Sequence, residues 1–311
     1  MGSFYYEGEG KMRKLVNRGF TSGICVFLVL LSVIACTATC APEEGIYFTD
    51  ANLEAAIREA IDKPTGSIHV SDIEAMLSLD ASERNISDLT GLQYCINLTY
   101  INLNDNTISV IPDLSSLGNL TEIELKFNGL VDISGLSGLG NLQEAHLEWN
   151  NIKIIPSLTG LNSLTKLALY ENEISDLSGI SGLTSLTDLS LFKNNIEDIS
   201  ALSTLTNLSV LSLTRNNISD ISPISGLKNL TVLSLDDNDI SDISPLSGLD
   251  KLNSLDLEGN QINNIEPLVN NNGISVEDSV DLEKNPLSDD SINIYIPELQ
   301  ARGARVYYDT E

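Results

Sequence analysis

Only two histidines occur in the 311 residues, His69 and His146, and the second lies among carboxylates. Glu144, His146 and Glu148 alternate along the chain, while Glu122 and Glu124 stand 22 residues before Glu144 and His146. Alternate residues of an extended strand face the same way. Carboxylates around one imidazole could hold a metal ion or serve in acid–base work. The plainer reading is a solvated acidic patch with a histidine whose protonation responds to it. No serine sits in a nucleophile elbow and no glycine-rich phosphate loop is present. Of the four cysteines, Cys25, Cys36 and Cys40 precede residue 41, and Cys95 falls where later units carry Leu117, Leu139 and Leu161, as a small buried hydrophobe would. No catalytic residue, metal or cofactor is therefore expected.

What positions these side chains is a repeat of 22 residues, without insertion from about Met76 to Asn272. Asn106, Asn128, Asn150, Asn172, Asn194, Asn216, Asn238 and Asn260 recur in the pattern LxxLxLxxNxI, as in LTVLSLDDNDI at 230–240. A further copy ends at Asn285 after three extra residues, and an opening copy has Arg84 in place of asparagine. Each unit carries about seven apolar positions that it could not bury alone. Stacking units buries them, at roughly 1.5 to 3 kcal/mol per side chain. The asparagine amide offers both a donor and an acceptor where the chain turns out of the strand, so stacked asparagines should form a scaffold ladder.

The return half, as in SDISPLSGL, has a turn residue, proline or glycine, and apolar steps three apart, which suits a 3₁₀ turn on the convex side. Asp176, Asp198, Asp220 and Asp242 would stack in one column there. An aspartate turn capping backbone N–H groups and a bound calcium ion are the two ways to offset their repulsion.

Inward residues of each strand are the two leucines of LxL, so the others project from the concave face. Phe127, Trp149, Tyr170 and Phe192 then occupy four consecutive units at one edge, and Trp149 is the only tryptophan of the chain. Lys126, Lys193 and Arg215 flank them on an otherwise acidic body. Aromatics can cover strand neighbours without a ligand, but four beside cations have the composition of an interface hot spot. With His146 and Glu148 they form the candidate ligand-binding set.

The formal charge is −27 overall and −29 beyond residue 40. Such a surface repels phosphate backbones and anionic headgroups, so nucleic-acid binding is not expected. The Asn-x-Ser/Thr triplets at Asn85, Asn97, Asn119, Asn207, Asn217 and Asn229 come from the repeat consensus itself and are poor evidence for glycosylation.

The 22-residue unit with its DIS-L-GL return resembles the internalin and phosphatase-regulator type of leucine-rich repeat. The segment YFTDANLEAAIREAIDKPTGSIHVSDIEAM (47–76) is similar to the helical cap that precedes internalin-type repeats. Its helix should open near Asp50, bury Leu53, Ile57 and Ile61, and stop before Pro64. At the other end, 288–309 offers a capped helix, a break at Pro297 and a short strand at Val306. The resemblance implies an α/β leucine-rich repeat solenoid, a curved horseshoe with a parallel β-sheet on its concave face, a 3₁₀ or irregular convex side and an N-terminal helical cap. It also implies a monomeric surface binding module for a protein or glycan. A surface scaffold without a ligand and an intracellular regulatory subunit are the competing readings.

Ahead of the cap, from Met12, three positive charges precede an apolar run from Ile24 to Ile34 and then small residues, the proportions of a signal peptide. Val33-Ile34-Ala35-Cys36 resembles the bacterial lipobox, with Cys36 as the lipidated residue. The expected organisation is 1–36 signal peptide, 37–45 linker, 46–75 cap, 76–272 repeats and 273–311 last repeat with C-terminal cap. The location would be extracytoplasmic, with the membrane touched only through the lipid.

Overall fold

The computed structural model describes residues 45–158 and 160–309. The targeting segment, Cys36 and nearly all of the linker lie outside the described residues. Eleven three-residue strands form one parallel sheet in chain order: β1 (Ser78–Asp80), β2 (Tyr100–Asn102), β3 (Glu122–Glu124), β4 (Glu144–His146), β5 (Lys166–Ala168), β6 (Asp188–Ser190), β7 (Val210–Ser212), β8 (Val232–Ser234), β9 (Ser254–Asp256), β10 (Ser279–Asp281) and β11 (Arg305–Tyr307). The register advances by 22 through the repeats, so that Leu189, Leu211 and Leu233 are direct partners. The sheet is open and the fold is a leucine-rich repeat solenoid. Its core is one column of buried leucines and isoleucines running the length of the stack, with Cys95 fully enclosed as a free thiol.

The asparagine ladder forms as its chemistry requires. Asn216 donates through Nδ2 to the carbonyls of Leu191 (3.1 Å), Leu213 (2.9 Å) and Thr214 (3.2 Å), and its Oδ1 accepts the N–H of Ile196 at 3.0 Å. Each rung thus fastens its own turn to that of the preceding unit, and the same set recurs at Asn150, Asn194, Asn238 and Asn260. The first rung, Asn106, accepts from Arg84 and Ile86. Arg84 itself has no earlier unit to hold and instead pairs with Glu59 of the cap at 2.8 Å. The triplet asparagines have a use as well: Asn97, Asn119, Asn207 and Asn229 each donate to a carbonyl 23 residues back, a second and more exposed ladder.

On the return side, 3₁₀ turns occur at Leu92–Tyr94, Ser134–Leu136, Ser178–Ile180, Ser200–Thr204, Ser222–Gly226 and Ser244–Gly248. From the second onward each opens on a serine whose N–H donates to an aspartate two residues earlier, at 2.8 Å for Asp132, Asp176, Asp198, Asp220 and Asp242. The aspartates are therefore turn caps, which answers their repulsion without an ion. The column is also interrupted. Two units carry Val110-Ile111-Pro112 and Ile154-Ile155-Pro156, which supply neither the carboxylate nor the N–H, and no 3₁₀ turn forms in them. Their extended segments instead press on the next unit's turn, where Gly135 and Gly179 leave room.

At the amino end, α1 (Ala51–Ala60) buries Leu53, Ala56 and Ile57 against the first strand, with Ile61 partly buried just past its end. Asp50 caps it, accepting from Asn52 and Leu53 with one oxygen and from Ser87 and Asp88 with the other. Burial opposes that charge, but these hydrogen bonds outweigh it and hold the carboxyl below its ordinary pKa. A single short turn, α2 (Val70–Ile73), follows. At the carboxyl end, after α3 (Glu266–Asn270), a π-helical turn at Ser291–Tyr295 runs directly into α4 (Ile296–Ala301). Pro297 is not a break, contrary to the expectation; it sits in the first turn of α4, where a missing N–H costs little. Val306 lies in β11. No helix of the described residues is long and apolar enough to cross a membrane.

Candidate ligand-binding surface

The residue before each ladder asparagine turns the chain out of the strand through a left-handed backbone. Asp105, Phe127, Trp149, Glu171, Lys193, Arg215 and Asp237 have φ between 52° and 57°, and Gly259 takes the same role at 65°. Glycine is the low-cost occupant of such a position, and an ordinary side chain there costs roughly 1–2 kcal/mol. Phe127 and Trp149 occupy a position that the other units fill with charged residues or glycine. They are 48% and 43% exposed.

The four aromatics do not make one row. They lie in consecutive units at a common edge, but their spacing of 22, 21 and 22 residues sets them in two adjacent columns. Phe127 and Trp149 stack at 5.4 Å with planes 17° apart, while Tyr170 and Phe192, one position earlier in their units and half-buried, stack at 5.0 Å and 28°. Lys193 joins the first pair: its Nζ lies 5.4 Å from the Trp149 ring centre and 2.5 Å from Glu171. Lys126 and Arg215 are drawn elsewhere, to Glu124 at 3.4 Å and Asp237 at 3.2 Å. Val110 and Ile154, exposed in the units of β2 and β4, are apolar surface that sequence reasoning missed. The signal was present as the break in the aspartate column.

The acidic group also divides. Glu124 is held by Tyr100, Asn104 and Lys126, which together outweigh its burial and keep its pKa low. His146 and Glu148 are not solvated, contrary to the expectation: they are 8% and 3% exposed. Lys126 and Tyr170 stand in the neighbouring positions of the Glu148 column, and Ala168 is the strand partner of His146. Nδ1 of His146 lies 3.4 Å from Glu148 and Nε2 lies 3.4 Å from Glu144, which also pairs with Lys166 at 3.3 Å. The hydrogen bond with Glu148 raises the His146 pKa, against burial and the charges of Lys126 and Lys166. These two residues support the surface from below. A second acidic group, Asp256, Glu258 and Asp281, lies toward the carboxyl end. Burial and neighbouring carboxylates push Asp256 up to about 6 even though it accepts the Glu258 N–H.

Comparison with known proteins places this geometry. The leucine-rich-repeat family model matches residues 206–262, and a two-copy model of the same repeat matches 184–226. Internalin C2 of Listeria monocytogenes is similar over 66% of this chain and 92% of its own at 36% identity, with a TM-score of 0.59. An internalin, inlF, of the same organism is 27% identical over 85% of this chain and 91% of its own, TM-score 0.55. The functional domain of the Listeria InlJ is 26% identical over 78% and 52%, TM-score 0.63. No curated protein sequence gives a significant match. With its 22-residue period, N-terminal cap and open parallel sheet, the chain belongs to the internalin family of leucine-rich repeat proteins.

Proposed function

We propose that the chain binds a protein partner through the concave sheet and the edge formed by Phe127, Trp149 and Lys193. Internalin-like repeat proteins bind rather than catalyse, and this chain is not an enzyme. The observation that carries the reading is the pair of exposed, stacked rings beside the Lys193 ammonium, at an edge position that the other units fill with charged residues or glycine. Both faces of Trp149 are occupied, by Phe127 and by the Lys193 ammonium. A sugar ring needs a free aromatic face, so this arrangement favours protein over glycan. Charge favours a partner with a basic surface.

Replacing both rings by asparagine, a residue at ease in the left-handed region, tests this. Loss of the stack, about 0.5–1.5 kcal/mol, is offset by relief of backbone strain of similar size, so the unfolding midpoint should hardly move. Binding should fall by about 30-fold, the roughly 2 kcal/mol of a hot spot. Pull-downs from the native cell surface, comparing parent and Phe127→Asn/Trp149→Asn, decide it: a double variant that retains the same partners rules the surface out.

The location belongs to the same proposal. The charged, apolar and small-residue series from Met12 and the lipobox at Cys36 support an extracytoplasmic, lipid-anchored protein. Metabolic labelling with a fatty acid should mark the parent and not Cys36→Ser; equal labelling of both rejects the anchor at Cys36.

A further inference from the structure

We infer that Glu122, Glu144 and His146 form a Zn²⁺ site on the concave face, with Glu148 as the residue that orients the imidazole. One ligand atom from each of the three lies within 4.8 Å of the others. Two carboxylates and one imidazole, leaving a fourth position open to water, are a ligand set that zinc accepts.

The two sides of His146 differ in the way such a site requires. Nε2 faces Glu144, whose side chain is 41% exposed, so a cation has access from the concave face. Nδ1 faces Glu148, whose side chain is 4% exposed. A metal-bound histidine characteristically donates its other ring N–H to a carboxylate, which fixes the tautomer and strengthens the ligand.

Glu148 supplies the independent observation. Its Oε1 lies 3.4 Å from Nδ1, but its Oε2 is buried with no hydrogen-bond partner. When the ring is neutral, as a metal ligand must be, this buried carboxylate is only half-satisfied, which is costly. A dication on Nε2 polarises the imidazole and places positive charge one ring away from that carboxylate, which offsets the cost. Lys166 competes, since its Nζ lies 3.3 Å from the Oε2 of Glu144. It is a half-exposed, flexible side chain that can swing aside.

The test is titration of the metal-stripped full chain with Zn²⁺ alone, by calorimetry and by metal analysis after equilibrium dialysis. The parent should bind one equivalent at this site. His146→Gln should weaken binding at least 100-fold, and Glu122→Gln, at a half-buried residue of the concave face, about 10-fold. Glu148→Gln should weaken it 10- to 100-fold although it touches no metal. Lys166→Met should tighten it several-fold, a gain that a merely structural role for these residues would not produce. Absence of saturable binding in the parent overturns the site and leaves His146 as an imidazolium between two carboxylates. Binding that survives both His146→Gln and Glu122→Gln also overturns it, and assigns the ion to the Asp256, Glu258 and Asp281 group.

Discussion

Asn216→Asp is expected to destabilise the protein by on the order of 3–5 kcal/mol at pH 7, although the two side chains are nearly the same shape. The amide donates to three carbonyls at 2.9–3.2 Å and is 7% exposed. A carboxylate keeps the acceptor for Ile196 but faces those three oxygens with a negative charge and no proton, an uncompensated buried ion. Burial and the carbonyl dipoles raise the folded-state pKa of the new aspartate above its unfolded value of about 3.9. The ionisation part of the penalty is then absent below about pH 4, leaving only the loss of one donor, and grows as pH rises toward the folded pKa. Urea unfolding of both proteins at several pH values checks this. A difference that does not vary with pH would mean the ladder is not the cause.

Gly179→Ala should be nearly as damaging, at on the order of 3 kcal/mol, and for a different reason. A Cβ there would lie 2.2 Å from the Ile155 oxygen and 2.3 Å from that of Pro156. Both are backbone atoms of the preceding unit, so relief requires the two units to separate. Gly182→Ala, three residues on, meets nothing within 4 Å and should be neutral or stabilising by a few tenths of a kcal/mol, because it restricts only the unfolded chain. The pair of urea midpoints separates the close approach from a general effect of alanine; equal midpoints would show that the units have slack at this contact.

These contacts also show what can be read without coordinates. The period, the ladder and the sheet register follow directly from Asn106 to Asn260, because 22-residue spacing admits one way of burying seven apolar side chains per unit. The amino-terminal cap was legible for a related reason: Asp50, Leu53 and Ile57 carry both a cap signal and a helical spacing. The candidate surface was half legible. Composition singled out Phe127, Trp149, Tyr170 and Phe192, and the 21-residue step from Trp149 to Tyr170 already divided them into two columns, but the left-handed turn between those columns leaves no residue signature, since aspartate, arginine, phenylalanine and glycine all occupy it. His146 and Glu148 are buried although alternation along the strand puts them on the open face, so their burial is set by neighbouring units, which alternation along one strand does not encode. The missing turns at Pro112 and Pro156 were visible as substitutions, yet their consequence, the close approach to Gly135 and Gly179, lies between units.

The ladder has a direction. Every rung reaches back: Asn216 secures the N–H of Ile196, Asn260 that of Ile240, and Asn285 that of Ile262. Shortening the protein from its amino end leaves each surviving turn N–H served, but deprives the new first rung of its client and of the carbonyl 25 residues back to which it donates. Shortening it from the carboxyl end strands the turn N–H of whichever unit becomes last, so each pole needs a finishing piece, and the two pieces differ: an acceptor for an N–H at the carboxyl end, an apolar cover such as α1 at the amino end.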